Sequence, residues 1–276
     1  MSQHKEQQGF LTFARNSDTV DYLHLAYVQA LNIKATQRIH SYAVVVDDKT
    51  NALITDEHRR VFDYVVIHNS SGPYEAEAHA FWLTPFKETI KLESDLLFTR
   101  SIDHWWPAFR LKDVCLSTGC RDYKQNISTS RKYRELHDAN HLPDVYTGLM
   151  YFRFSQPAAL FFTTAKQLQE NWSAISTLLK QCSETVPSTD VLFALTVQVV
   201  GEETCTMPSM DYINFVHMKP AINGFAELFD FQDTFVTEFD QGMIRINNIN
   251  QYHPVHYYCK TFVTKEMVDY YGSRIS

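Results

Sequence analysis

Apolar and polar positions in the first hundred residues fall into blocks that switch between the periods of strand and helix. Residues 9–15, GFLTFAR, are apolar at Phe10, Leu11, Phe13 and Ala14 and read as a first strand. Asn16 or Ser17 offers an N-cap to a helix over 18–36, where Val20, Leu23, Tyr27, Ala30 and Leu31 recur at spacings of three and four. Ser41 to Val46, SYAVVV, is a continuous apolar run ending in Asp47-Asp48, the pattern of a buried parallel strand with carboxylates at its C-terminal edge. Thr55 or Asp56 caps a short helix, Asp63 to His68 is a third strand, and Glu75 to Phe86 is helical by pattern. Thr89 to Leu92 forms a further apolar strand. This alternation predicts an α/β fold with an open, mostly parallel sheet flanked by helices. Ligands of such sheets bind at the C-terminal strand edge, where Arg15, Asn16, Asp47 and Asp95 are expected.

The second half is less regular. Residues 104–140 give one clear strand, Val114 to Ser117. Tyr146 to Phe154 is a strand whose small Thr147-Gly148 pair allows a ligand close to the backbone. Pro157 to Cys182 reads as one long helix. Ser188 or Thr189 caps another, with Asp190 in its first turn, where a carboxylate also suits the helix dipole. Strands follow at Tyr212 to His217 and near Met243 to Ile246, then HPVHYYCK (His253 to Lys260) and a short helix around Lys265 to Tyr271. No repeat, low-complexity segment or linker interrupts residues 1–276, which read as a single domain.

The chemistry concentrates in ETIKLESDLLFTRSID, Glu88 to Asp103. After an apolar strand the chain delivers Glu93 and Asp95, then returns to Leu96, Leu97 and Phe98. In extended chain the two carboxylates face one spot and Ser94 the other. Paired carboxylates at the end of a buried strand are costly without a cation between them, and a divalent metal that also holds phosphate oxygens answers that need. A solvated Glu-Ser-Asp turn is the plain alternative. A third ligand is commonly a histidine. His217 in FVHMKP and His256 in PVHYYCK both lie beside apolar strands, with Lys219 and Lys260 close behind to neutralise a diphosphate.

Composition narrows the function classes. The 276 residues are 45% apolar and 14% aromatic, so the chain has ample core. No apolar run is long enough to span a membrane, and the polar start MSQHKEQQ has no signal-peptide core. Five cysteines without a Cys-x-x-Cys pair fit free thiols in a reducing cytoplasm. A net charge of −7 argues against bulk nucleic-acid binding. Against that background Arg121, Lys124, Arg131, Lys132 and Arg134, interleaved with Tyr123 and Tyr133, form a local basic stretch: a solvated face, or a contact for an anionic acceptor or DNA phosphate. The P-loop, dinucleotide, zincin and serine-elbow motifs are all absent.

The order of motifs resembles nucleotide-sugar glycosyltransferases of the GT-A fold. KLESDLLFTRSID is similar to their Asp-x-Asp metal strand, with Glu in place of the first Asp. YTGLMYFR resembles the strand that glycogenin-like and bacterial galactosyltransferase relatives carry, STDVLFALTV their Asp-Gln-Asp helix start, and PVHYYCK their late His-x-x-Gly-x-x-Lys motif. The likeness runs over about residues 9–265, and it implies a nucleotide-sugar half at about 9–103 and an acceptor half at about 104–276. It implies that Glu93, Asp95 and His256 hold manganese or magnesium. Arg15, Asn16 and Asp47 then meet the nucleoside and Lys260 the diphosphate. Thr147 and Gly148 form the floor of the nucleotide-sugar site on its acceptor side, and Asp190 stands at the reaction centre. The late motif lacks its Gly and brings its Lys closer, which keeps Lys265 as an alternative to Lys260. His217 remains the alternative metal ligand. TFARN, AFWLTPFKETIKLESDLL and HMKP further resemble glycosyltransferases of tailed bacteriophages. That likeness implies transfer, most readily from a UDP-sugar, to hydroxymethylcytosine in phage DNA. A cell-envelope or soluble saccharide acceptor, and a non-catalytic nucleotide-sugar-binding module, are the rival expectations.

Overall fold

The computed structural model describes residues 6–70, 72, 75–131, 134–206, 213–225 and 231–275. Lys132 and Tyr133, and the start of the strand expected from Tyr212, lie outside the described residues. In chain order the strands are β1 (Glu6–Phe13), β2 (Tyr42–Val46), β3 (Tyr64–Ile67), β4 (Phe86–Leu92), β5 (Leu96–Leu97), β6 (Val114–Thr118) and β7 (Val145–Arg153). Five short ones follow: β8 (Val216–His217), β9 (Thr237–Asp240), β10 (Met243–Ile246), β11 (Ile249–Asn250) and β12 (Val255–His256).

The main sheet has the order β3-β2-β1-β4-β7-β6. Strands β1 to β4 are parallel to one another, and β7 runs antiparallel to both β4 and β6. The fold is therefore α/β with an open, mostly parallel sheet, as the alternation of periods predicts. Side chains alternate across it. Phe10, Val44 and Ile90 enter one apolar layer with the helix Tyr22–Thr36 and the turn Trp105–Phe109. Leu11, Val45, Phe86 and Phe152 enter the other, with the helices Gln156–Glu170 and Thr189–Val200. No described helix is long and apolar enough to cross a membrane.

Four elements depart from the sequence reading, each for a local reason. The first helix starts at Tyr22 with Asp21 as its cap, not Asn16 or Ser17. Residues 17–20 close their own turn, in which Ser17 Oγ accepts the Val20 amide at 3.0 Å. The helix expected over 75–86 is a 3-10 turn, Glu75–His79, and one α turn, Ala80–Leu83, because Pro85 forces Thr84 into extended backbone and β4 begins at Phe86. The long helix expected to Cys182 ends at Glu170: Asn171 turns its side-chain amide back to the Gln167 carbonyl at 2.8 Å and caps the helix. Finally, β4 stops at Leu92 and Ser94–Asp95 lie in a turn, so Glu93 and Asp95 do not converge by strand alternation.

Candidate metal centre

That turn places the site. Directly after it, β5 pairs antiparallel with β12, so that Leu96 opposes His256. The Tyr257 amide donates to the Asp95 carbonyl at 3.0 Å. β12 in turn pairs parallel with β8, setting His256 beside His217. A buried glutamine holds the turn from the helix side: Gln29 donates to the carbonyls of Glu93 and Leu96, both at 2.7 Å, and accepts from the Tyr42 hydroxyl at 2.9 Å.

Glu93, Asp95 and His256, the three residues the resemblance implies as ligands, come together at this turn. His256 Nε2 lies 3.0 Å from Glu93 Oε2 and 3.0 Å from Asp95 Oδ1. All three ligand atoms lie within 4.8 Å of one another. Two donors about 2.1 Å from one cation and at right angles sit about 3.0 Å apart, so the spacing fits a small divalent ion. Two carboxylates with one imidazole suit manganese or magnesium. Asp95 is nearly enclosed while Glu93 is 31% exposed, so the trio opens on one side only.

Burial pulls His256 down, but Asp95 and Glu93 outweigh it and push its pKa up to about 10. Burial pushes Asp95 up, yet His256 and Lys260 hold it well below the usual carboxylate range. The Lys260 ammonium pairs with Asp95 Oδ2, on the side away from His256, and lies 5.6 Å from the Tyr22 ring centre. His217 is not part of the trio. Its ring sits 4.3 Å from that of His256, and burial, with the His256 charge, drives its pKa well below the ordinary value.

A cleft of about 220 Å³ opens over the trio. Glu93, Asp95, His256 and Lys260 line one part, and Asp190, Tyr146, Phe215, Tyr258, His217 and Lys219 the rest. Gly148 forms part of the wall: a Cβ there would meet the Phe215 ring at 3.1 Å and His256 Nδ1 at 3.6 Å. Thr147 links the two carboxylate groups, its hydroxyl 2.9 Å from Asp190 Oδ1 and 3.5 Å from Glu93 Oε1. The Thr147 amide donates to the same Asp190 oxygen at 2.9 Å. Burial alone would raise Asp190, but Arg134 and Thr147 lower its pKa below the ordinary value.

Arg15, Asn16 and Asp47, expected at the nucleoside, form their own cluster and do not line this cleft. Arg15 pairs with Asp47 at 3.2 Å and donates to the carbonyls of Ser70 and Gly72. Asp47 caps the turn Asp48–Asn51 through the Thr50 amide, and the Asn16 side chain is occupied by Leu23 and Asp21. Among the described residues of the basic stretch, two arginines are engaged with carboxylates. Arg131 pairs with Asp138 and Asp144, and Arg134 is 1% exposed, bound among Asp144, His137 and Asp190. Arg121 donates to the Gln125 carbonyl, and Lys124 is exposed beside Tyr123. Lys265 pairs with Asp269 on the last helix.

Several residues at the site escaped the sequence reading. Lys91 is buried on β4, paired with Glu77 and donating to the Thr147 carbonyl at 3.1 Å. A lysine inside the apolar run ETIKL was its only signal. Gln29 carried a similar one, an amide on the apolar face of a helix. Tyr146, Phe215 and Tyr258 are aromatics among many and had none.

No family model matches the sequence, and no curated protein matches it. Among solved structures, the chain is similar to mouse xyloside xylosyltransferase 1 in its apo form, with 9% identity over 73% of this chain and 84% of that one and a TM-score of 0.46.

Proposed function

We propose that this chain is a divalent-metal-dependent glycosyltransferase of GT-A type, moving a sugar from a nucleotide diphosphate donor, UDP-sugar first, to an acceptor hydroxyl. The observation that carries the reading is the trio Glu93, Asp95 and His256 on a cleft whose other wall holds an anchored carboxylate, Asp190. Glu93, Asp95 and His256 are the ligands. The bound cation supplies charge neutralisation for the departing diphosphate. Lys260, already at the trio, adds a second positive charge for the same oxygens. Asp190 presents a fixed negative charge toward the sugar, where positive charge develops at the anomeric carbon. Tyr146, Phe215 and Tyr258 supply apolar wall against the sugar and exclude water. Thr147 and Gly148 serve as floor, Arg15, Asn16 and Asp47 as the nucleoside side, and His217 with Lys219 as the acceptor side. The chain acts as one domain, the donor bound by residues up to about 103. Its five free cysteines suit the cytoplasm.

The acceptor is the finer half of the reading. Hydroxymethylcytosine in DNA is the acceptor that the phage likeness favours, and Lys124, exposed at the surface, is a cation compatible with it. A saccharide hydroxyl is the alternative, and a non-catalytic nucleotide-sugar binder would keep its nucleotide affinity in Glu93→Ala and Asp95→Ala. The test is turnover of a panel of UDP- and GDP-sugars with and without Mn2+, offering hydroxymethylcytosine DNA, plain DNA and simple saccharides. Metal-dependent transfer or hydrolysis, lost in Asp95→Ala, is expected. Absence of both turnover and nucleotide binding rejects the reading.

A further inference from the structure

Behind the cleft wall lies an arginine that no substrate reaches. Arg134 caps the helix Glu135–Asn140 and is 1% exposed, yet it touches two residues that line the cleft. Its guanidinium carbon lies 3.9 Å from the centre of the Tyr146 ring. Nη2 donates to the Val145 carbonyl at 3.1 Å and stands 3.6 Å from Asp190 Oδ2. Nη1 meets His137 Nε2 at 2.6 Å, and Nε faces Asp144 at 3.5 Å. Thr147 holds the other Asp190 oxygen through its amide and its hydroxyl.

We infer that Arg134 is a positioning residue for the transfer step: with Thr147 it fixes the Asp190 carboxylate and, through its stacked face, the Tyr146 ring, so that both meet the sugar in one arrangement. The inference rests on the glycosyltransferase reading and deepens it. A half-exposed carboxylate with one oxygen tied to Thr147 and the other facing a buried guanidinium has little freedom to turn. A planar guanidinium can face a carboxylate and stack on an aromatic ring together, which an ammonium cannot. Among the described residues the charged and titratable groups facing Asp190 include Arg134, His137, Glu77 with its partner Lys91, and Glu93 across Thr147, and Arg134 is the cation in direct reach of its carboxylate. Burial and Arg134 drive His137 down to about 4, so it stays neutral at neutral pH.

The test uses Arg134→Met and Arg134→Lys in the full chain, with the donor that the wild type turns over and with UDP plus Mn2+ as the binding probe. Arg134→Met should lower kcat by about 100-fold, the scale of a misplaced catalytic group, while UDP affinity with Mn2+ stays within about threefold. The acid limb of its pH–kcat profile should move up, because Arg134 is one of the groups that lower the Asp190 pKa. Arg134→Lys keeps the charge without the planar fork and should return to about a tenth of wild-type kcat. A kcat for Arg134→Met within about threefold of wild type overturns the inference, as does equal loss of UDP binding in both variants, the mark of a merely structural role. If Arg134→Met does not fold, Arg134→Lys decides: about a tenfold lower kcat with intact UDP binding supports positioning, and wild-type kcat refutes it. A wild type that neither binds UDP with Mn2+ nor turns over a donor overturns the glycosyltransferase reading, and this inference with it.

Discussion

His256 shares one ring nitrogen between two carboxylates, and that arrangement has consequences in pH. In the protein without metal its pKa stands near 10, against about 6.5 when unfolded. A raised folded value stabilises fully below the unfolded pKa and loses that contribution as pH rises through the folded one. Unfolding by urea in the presence of EDTA should therefore show the His256 contribution intact at pH 6.5 and shrinking towards pH 10. The depressed Asp95 works in the opposite direction: its contribution is present above about 4 and is lost as acid protonates it. A metal ligand must shed its proton, so Mn2+ affinity should strengthen by roughly tenfold per pH unit from 6.5 to 8.5. Calorimetric titration at those two values checks this, and a flat response would mean that His256 is neutral in the free protein. Asp95→Asn removes one of the two carboxylates at His256 and the carboxylate partner of Lys260, and should weaken Mn2+-dependent UDP binding by tenfold or more. Glu93 and Asp95 stood out because charged groups beside apolar runs are conspicuous, whereas the sequence left His256 open against His217 and Lys260 against Lys265. The pairing of Arg134 with Asp190 was not legible, since an arginine in a basic stretch reads as solvated.

At the level of elements, sequence periodicity located the strands of the sheet but not the device that holds the Glu93–Asp95 turn. Helix Tyr22–Thr36 was legible from its apolar spacing. Two amides on its buried face, Gln29 and Asn32, clamp the chain after β4 by hydrogen bonds to Glu93, Leu96 and Phe98. Amides on an apolar stripe count only against a helix in a hydrophobicity pattern, so their partners stayed hidden. Gln29→Leu keeps the volume but leaves two carbonyls and the Tyr42 hydroxyl without this partner. It should cost about 2–4 kcal/mol in urea unfolding and weaken Mn2+ binding in step. A cost below about 0.5 kcal/mol would show that the clamp is dispensable. The β1–β4 seam makes a second case. A Cβ at Gly9 would stand 2.4 Å from the Phe86 ring, so Gly9→Ala must push that ring out of the core. About 1–3 kcal/mol of lost stability is expected, with UDP affinity unchanged in the folded fraction.

Across the whole molecule, the site assembles from distant pieces. Asp95 and Lys260 are 165 positions apart and meet because β12 returns to β5. Each motif was legible alone; their meeting depends on two-residue strands, Val216–His217 and Val255–His256, too short to carry a period. Net charge bears on the acceptor in the same way. The chain carries −7, and the basic stretch that suggested DNA spends Arg131 and Arg134 on Asp138, Asp144 and Asp190. Little positive charge is then left to release counterions from a duplex. Plain duplex DNA should give no measurable anisotropy change at about 150 mM salt, where non-specific binders already sit at micromolar affinity or weaker. A DNA acceptor would have to be held through a base turned into the cleft, against Tyr146, Phe215 and Tyr258. Binding of hydroxymethylcytosine DNA would then depend on salt with a slope of only about 1–3 in log K against log salt. A slope of about 6 or more on plain duplex would mean that a phosphate-binding face exists elsewhere on the chain, and would return the basic stretch to the role its sequence suggested.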